Sequence, residues 1–215
     1  SVECQFDNLD ETTVRSLQYA VTHGRSGKGI VYVFASGNSH GDGADVNQGG
    51  YTVTRFIISV GSVGRLGKHS SYSTAGAALF VVAPGGDGEF TRSHVVAQPS
   101  QGGLPAGTRN QCQDIGVGTS YAAPVVTGVI ALMLEANAEL SWRDVQGILA
   151  TTSSATDTPD AAWSTNGAGL HHSYKYGFGV VNASRAVAAA KRWTTYGPEV
   201  RVSRTSVVDA EVAQD

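Results

Sequence analysis

The feature that most constrains this chain is residues 116–137, GVGTSYAAPVVTGVIALMLEAN, in which Ser120 stands directly before a long apolar run. A helix that lacks a broad polar face has to be buried, so the rest of the chain must supply a core around it. Gly116 and Gly118 permit a sharp turn before the serine and leave space above its hydroxyl. Gly128 and its small neighbours allow other elements to approach the helix closely.

Two interpretations of Ser120 remain open at this point. A serine that opens a helix usually caps it, because its hydroxyl accepts a hydrogen bond from an unpaired backbone N–H. The same helix terminus also presents backbone N–H groups and the positive end of the helix dipole, which stabilise an oxyanion beside a nucleophile. The segment alone therefore predicts either a cap or a nucleophile.

The other patterned segments predict an α/β fold. Three short runs, 30–35, 56–60 and 79–83, are apolar throughout, as is typical of strands buried on both faces of a parallel sheet. Spacing and caps predict helices over residues 12–22, 120–136, 142–150 and 183–193. Glycines interrupt residues 84–118, which leaves room for one irregular hairpin.

Composition narrows the class of protein. A chain of 215 residues with 41% hydrophobic and 15% charged residues fits one or two globular domains. A net charge of −3 offers no basic surface, so we expect no nucleic-acid partner. The sequence shows neither a bilayer-spanning apolar run nor a secretory leader. Because it begins at Ser1, we expect it to be a piece of a longer protein.

Asn38 is the second candidate functional residue. It follows the apolar run of 30–35 in the stretch FASGN, and the carboxyl ends of parallel strands commonly form sites. Asparagine between Gly37 and Ser39 is also a typical turn residue. Together with GTSYAAP around Ser120, however, Asn38 is predicted to donate a hydrogen bond to an oxyanion.

At these motifs the sequence resembles the subtilisin-like serine proteases, whose nucleophile lies in Gly-Thr-Ser-x-Ala-x-Pro and whose oxyanion asparagine lies in Ala-x-Gly-Asn. The stretches ALMLEANAELSWRDVQ, HSYKYGFGVVNA, RWTT and GGYT narrow the resemblance to the kexin and furin proprotein convertases. The resemblance runs from about residue 9 to 195. It implies a three-layer α/β/α fold with a mainly parallel sheet, present here in part. Residues 1–195 would be the C-terminal portion of the catalytic domain, and 196–215 a linker into a β-rich domain.

The resemblance implies a role for each matching residue. Ser120 would be the nucleophile, and Asn38 together with the Ser120 N–H would form the oxyanion hole. Ala35, Ser36 and Gly37 would line one side of the substrate pocket, with Thr119 beside it. The family places its aspartate and histidine upstream of these motifs, and neither is found in this sequence.

None of the histidines present matches the family's catalytic base. His23-Gly24 ends a predicted helix, whereas the family's histidine opens one. The remaining histidines lie in predicted loops and turns, at His40, His69, His94, His171 and His172. Because a serine hydroxyl without a base is a weak nucleophile, we expect this segment to be inactive without its missing N-terminal half.

Several positions depart from the resemblance. Gly49 occupies the place of a pocket aspartate, so we expect a weaker preference for cleavage after Lys or Arg. Thr74 replaces a calcium-binding glutamate, so a calcium ion is implied by the family but its ligands near Gly49 and Thr74 are not retained. Val46 and Gly76 replace a cysteine pair.

The two cysteines are too few for a disulfide scaffold and are not spaced as metal ligands. Cys112 matches a family cysteine, and its partner would be either Cys4 or a cysteine upstream of this sequence. A disulfide implies the secretory pathway, with extracellular or membrane-associated placement through parts not in this chain. The predicted partners are a protein or peptide substrate and the missing half.

Three hypotheses for the function remain. The first is a subtilisin/kexin-type serine endopeptidase that is completed by upstream residues. The second is a pseudoprotease, which keeps the fold as a structural or protein-binding module. The third is an unrelated serine hydrolase, which is disfavoured because Ser120 does not lie in a Gly-x-Ser-x-Gly motif.

Overall fold

The computed structural model describes residues 9–87, 95–97, 112–114, 116–200 and 202. Its five α-helices are α1 (Glu11–His23), α2 (Gly50–Val53), α3 (Thr119–Ala136), α4 (Trp142–Thr152) and α5 (Ala183–Ala190). Its strands are β1 (Tyr32–Ala35), β2 (Ile57–Val63), β3 (Val81–Pro84), β4 (Val95–Ala97), β5 (Cys112–Asp114), β6 (Trp163–Thr165) and β7 (His171–Ser173).

A three-stranded parallel sheet, in the order β1-β2-β3, forms the centre of the fold. Tyr32 is in register with Ile57, and Val60 with Val81. Every residue of β2 is buried, which confirms that this apolar run is a strand covered on both faces, whereas β1 is only partly buried and its Phe34 is exposed. The three parallel strands end at the same edge, where the chain leaves β1 through Ser36, Gly37 and Asn38.

Helices cover both faces of this sheet, as the predicted α/β/α architecture requires. On one face, α3 crosses all three strands and packs beside α5. Its buried residues Val126, Ile130 and Met133 join the strand residues Ile58 and Val60 in the main core. On the other face, α1 packs through Leu17, Val21 and the ring of Trp142 in a second cluster.

One face of α3 is open in the described part of the chain, although its lack of a broad polar face predicts a buried helix. Val125 is 38% exposed and Leu132 is 49% exposed. α3 is long and apolar enough to cross a membrane by length and composition, so the expectation that no such run exists was wrong. Its contacts with the sheet and with α5 are nevertheless those of a core helix.

The segment after α5 remains attached to the core. Ser141 and Asp144 form the predicted capping box at the start of α4. The carboxylate of Asp144, which has no exposed surface, also accepts hydrogen bonds from Trp193 Nε1 over 2.9 Å and from Tyr196 N over 2.8 Å. Arg55 pairs with Glu199 over 2.7 and 2.9 Å. Residues 193–199 therefore lie along α4 as a fixed strap.

Other predicted elements end differently from the expectation. α5 ends at Ala190 instead of residue 193, and β4 pairs with β5 as an antiparallel hairpin within 84–118. His171 and His172 lie in the short strand β7 instead of a loop. Cys4 and His94 lie outside the described residues.

Candidate active site

The start of α3 shows whether Ser120 caps this helix. Gly118 is the N-cap residue, and no side chain caps this helix. Ser120 is the second helical residue, so its hydroxyl is not a cap, and the residue is exposed. Its amide N–H is among the first four of the helix, which have no partner inside the helix. The helix start therefore carries an exposed hydroxyl that is not a cap together with N–H groups that have no partner inside the helix.

Thr119 fixes the orientation of the Asn38 amide. Both the backbone N and the Oγ1 of Thr119 donate to Asn38 Oδ1, over 2.9 and 2.8 Å. A backbone N–H can only donate, so the acceptor oxygen must be the atom on this side. The Nδ2 group of Asn38 then points away from Thr119 and keeps its two N–H donors for another acceptor.

The hydroxyl of Ser120 and the amide of Asn38 border one small space. A Cβ built on Gly118 would lie 3.2 Å from Ser120 Oγ and 3.6 Å from Asn38 Nδ2. The absence of a side chain at this position thus keeps the space between the two groups open. The fold brings them together from β1 and α3, which are 81 residues apart in sequence at Asn38 and Thr119.

The residues predicted to line the pocket form the turn after β1. Ser36 N donates to Val60 O over 2.8 Å, which continues the sheet pairing beyond Ala35. The Ser36 hydroxyl is buried and has no hydrogen-bond partner among the described residues. Gly37 has a φ of 103°, a value that favours glycine, so the chain turns here and carries Asn38 toward α3.

A hydroxyl network that the sequence did not predict supports this edge of the sheet. Ser62 Oγ lies 2.9 Å from both Ser70 Oγ and Tyr72 Oη. Tyr72 Oη also donates to the carbonyl oxygens of Gly85 and Gly86. Gly85 O in turn accepts from Gly118 N over 2.9 Å. The network therefore holds the turn that precedes Ser120.

The described histidines make their contacts away from Ser120. His23 ends α1, and its Nδ1 lies 3.0 Å from Tyr19 O. This contact belongs to the last turn of the helix and involves no candidate catalytic group. His171 and His172 each approach a backbone carbonyl oxygen. His69 packs edge-on against the ring of His40. Burial, with the positive charges of His40 and Lys175, lowers the pKa of His69 to about 4.

The positions implied to hold calcium do not fit a calcium site. Thr74 Oγ1 accepts from Ser39 N over 3.1 Å, and Asp45 Oδ1 caps a short helix by accepting from Asn47 N over 2.7 Å. Gly49 offers no side-chain oxygen. Among the described residues no three His, Cys, Asp or Glu side chains are grouped as metal ligands.

Comparison with known proteins identifies the class. The sequence model of the subtilase family, peptidase S8, matches residues 6–179, and the chain belongs to this family. Among solved structures, the serine protease of Aeromonas sobria in complex with its chaperone superimposes with a TM-score of 0.77 at 21% identity, covering 90% of this chain and 42% of that one. Proteases from Pseudoalteromonas arctica give a TM-score of 0.63 at 27% identity, with 86% and 48% covered.

The curated relatives are kexin- and furin-type proprotein convertases. Human proprotein convertase subtilisin/kexin type 7 is 38% identical over 180 residues, which are 84% of this chain and 22% of that protein. Furin-1 of Xenopus laevis is 36% identical, with 83% and 22% covered. Protease KEX1 of Kluyveromyces lactis is 33% identical over 94% of this chain and 25% of its own length. The chain thus spans about a quarter or less of these relatives.

Proposed function

We propose that this chain is the nucleophile-bearing part of a subtilisin/kexin-type serine endopeptidase. The observation that carries the proposal is the Asn38 amide, which Thr119 holds with its N–H donors toward the space beside Ser120 Oγ. Such a pair of nucleophile and fixed amide donor is suited to the attack on a peptide carbonyl.

The chemistry of each group follows from its position. Ser120 Oγ would form a bond to the scissile carbonyl carbon and lose its proton to a base. The carbonyl oxygen, now negatively charged, would accept hydrogen bonds from Asn38 Nδ2 and the Ser120 N–H, at the positive end of the α3 dipole. The base, a histidine oriented by an aspartate, would come from the missing N-terminal half. The segment alone is therefore proposed to be inactive.

Two surfaces that are uncovered in the described residues support the proposal that an upstream segment completes the domain. β1 is paired only with β2, so its other edge has no strand among the described residues. By contrast, residues 178–181 hydrogen-bond along the outer edge of β3. Phe34 on β1 and Leu132 on α3 are both more than a third exposed. Further strands beside β1 and helices over α3 would bury this apolar surface.

Labelling of the intact protein with a fluorophosphonate tests the function. Wild-type protein should be labelled at the serine, and Ser120→Ala should remove the label. Ser16→Ala, which changes an exposed serine on α1, is the matched control and should leave labelling intact. The segment expressed alone should not be labelled. If the intact wild-type protein is not labelled, the proposal is wrong.

A pseudoprotease is the second candidate function. The observation that favours it is the lack of an acidic side chain at Gly49 and Thr74, which removes two features that the family resemblance implies. A pseudoprotease would fold in the same way but would not react with the fluorophosphonate. In either case we propose a protein or peptide ligand and passage through the secretory pathway.

A further inference from the structure

The two groups of the proposed site lie on separate turns. Asn38 follows β1 and Ser120 opens α3, and Thr119 joins the turns at one point, the Oδ1 atom of Asn38. Catalytic groups have to be held within about 0.5 Å of their working positions. One point of contact does not fix the orientation of one turn against the other, so further contacts between the turns matter for the reaction.

A short segment, residues 72–74, is bound to the turn that carries Asn38. Thr74 bonds the residues on both sides of Asn38, since its N donates to Gly37 O over 3.0 Å and its Oγ1 accepts from Ser39 N over 3.1 Å. Thr74 is only 4% exposed, so these hydrogen bonds are shielded from water. We call residues 72–74 the brace.

Tyr72 extends the brace to the turn that precedes α3. Its backbone O accepts from His40 N over 3.1 Å, on the turn that follows β1. Its Oη donates to Gly85 O over 2.8 Å, and the same Gly85 O accepts from Gly118 N over 2.9 Å. A single residue thus reaches one turn with its backbone and the other turn with its hydroxyl.

The number of protons in the hydroxyl network assigns a direction to these hydrogen bonds. A carbonyl oxygen can only accept, so the proton of Tyr72 lies on the carbonyl side and Ser62 is the donor in its contact with Tyr72 Oη. Gly86 O already receives the proton of Ser70, over 2.5 Å. Gly85 O is therefore the carbonyl whose hydroxyl partner, among the described residues, is Tyr72 alone.

The backbone of Gly85 is closely packed on both sides. A Cβ built on Gly85 would collide with Ser62 Oγ and would lie 2.7 Å from Gly118 O. Ser62 has no exposed surface, so it has little freedom to move away. A displacement of the hydroxyl network is consequently passed through Gly85 to Gly118.

We infer that Tyr72 is a positioning residue for the reaction, because it binds both turns and so sets the separation of Ser120 Oγ and the Asn38 amide. This inference rests on the proposed function and names a residue outside the site that controls its rate. Tyr72 acts on the serine through Gly85 and Gly118. Since the oxyanion forms only during the attack, a misplaced donor slows the chemical step and leaves binding unchanged.

The test compares Tyr72→Phe with wild type in the intact protein, with the fluorophosphonate as the probe. The labelling rate at increasing probe concentration gives the maximal rate and the half-saturating concentration separately. Loss of the hydroxyl should lower the maximal rate about tenfold or more and change the half-saturating concentration by less than about twofold. Tyr19→Phe, which removes the hydroxyl of an exposed tyrosine on α1, is the matched control and should label at the wild-type rate.

A double-mutant cycle with Asn38→Ala separates positioning from a general loss of structure. If Tyr72 aligns the amide with the serine, its hydroxyl has little to align once the amide is removed. Tyr72→Phe should then slow labelling by less than about threefold in the Asn38→Ala background. Equal losses in both backgrounds would overturn the inference, as would an unchanged maximal rate in Tyr72→Phe alone.

Thr74 provides a second test that decides the matter if Tyr72→Phe does not fold. Thr74→Val removes the acceptor for Ser39 N and keeps the branched shape, whereas Thr74→Ser keeps the hydroxyl. Thr74→Val should lower the maximal rate about tenfold, and Thr74→Ser should label at nearly the wild-type rate. Equal rates for the two variants would overturn the inference. Intact wild-type protein that is not labelled would overturn the proposed function and the inference with it.

Discussion

Trp193 Nε1 donates to Asp144 Oδ1 over 2.9 Å and so joins the end of the α5 region to the start of α4. The same carboxylate accepts from the N and Oγ of Ser141 through its other oxygen, over 2.7 and 2.6 Å. Burial alone would raise the pKa of Asp144, but the hydrogen bonds from Ser141, Tyr196 and Trp193 outweigh it and hold the pKa below its usual value.

Asp144→Ala should destabilise the protein strongly. The substitution removes the charged acceptor of hydrogen bonds from Trp193, Tyr196 and Ser141, each worth about 1.5–3 kcal/mol, so we expect a loss of about 3 kcal/mol or more in the free energy of unfolding. Thermal and denaturant unfolding of the intact protein measure it. Glu135→Gln, an exposed acid on α3, is the control and should change stability little. Equal stability of the two variants would show that the hydrogen bonds to Asp144 do not stabilise the fold.

The lowered pKa of Asp144 also predicts that the folded protein loses stability at low pH. A carboxyl whose pKa is depressed in the folded state contributes stability above its unfolded value, about 3.9, and loses it as pH falls through the folded pKa. Wild-type protein should therefore lose more stability than Asp144→Asn between pH 5 and pH 2. Unfolding temperatures of both proteins across that range provide the comparison. Parallel curves would show that this carboxyl does not contribute.

His69 predicts a pH dependence in a milder range. Its pKa is about 4 in the fold against about 6.5 when unfolded, so the unfolded chain binds the extra proton first. Stability should fall by roughly 2 kcal/mol as pH decreases from 6.5 to 4, after allowance for screening at the exposed part of the ring. The charged or titratable groups that face the ring are those of His40, Tyr176, Lys175 and Asp160.

His69→Phe should remove most of this decline, because phenylalanine keeps the ring contacts and binds no proton. Denaturant unfolding at pH 7, 5.5 and 4.5 measures the difference between wild type and variant. His23→Phe, at an exposed position, should follow the wild-type curve. A decline that persists unchanged in His69→Phe would assign the pH dependence to other groups.

Thr119→Val should impair catalysis without affecting substrate binding. The substitution removes one of the two donors that hold Asn38 Oδ1, so the amide would populate other orientations. We expect kcat to fall about tenfold with little change in KM, against about a hundredfold or more for Asn38→Ala. Thr127→Ala, whose hydroxyl bonds Ala123 O on the exposed side of α3, should leave both constants unchanged. An unchanged kcat in Thr119→Val would mean that the backbone N–H suffices.

Gly118→Ala should reduce the reactivity of the serine. The added methyl group would stand 3.2 Å from Ser120 Oγ and 3.6 Å from Asn38 Nδ2, where the oxyanion would form. We expect at least a tenfold slower fluorophosphonate reaction at normal thermal stability. Gly128→Ala is the control, since a Cβ there has no neighbour within 4 Å. Equal labelling rates would show that the site does not use this space.

The sequence predicted those elements whose signal is local. Three parallel strands, the long α3 and the capping box of Ser141 and Asp144 follow from apolar runs and cap residues, and the structure confirms them, although β1 is only partly buried. The Asn38 orientation could not be predicted, because it depends on a hydrogen bond across 81 residues. The Ser62–Tyr72 network and the docked strap were missed for the same reason, since hydroxyl and amide contacts leave no periodic pattern.

The open edge of β1 affects how these 215 residues behave as an isolated polypeptide. Among the described residues one edge of β1 is unpaired, and a strand with free N–H and C=O groups along one side templates further strands. The apolar side of α3 that faces away from the same sheet is uncovered as well. Expressed separately, the polypeptide should self-associate through this edge, and its state of aggregation should rise with concentration. Soluble material for crystallisation or binding work should therefore require co-expression with the upstream segment that we propose to pair with β1.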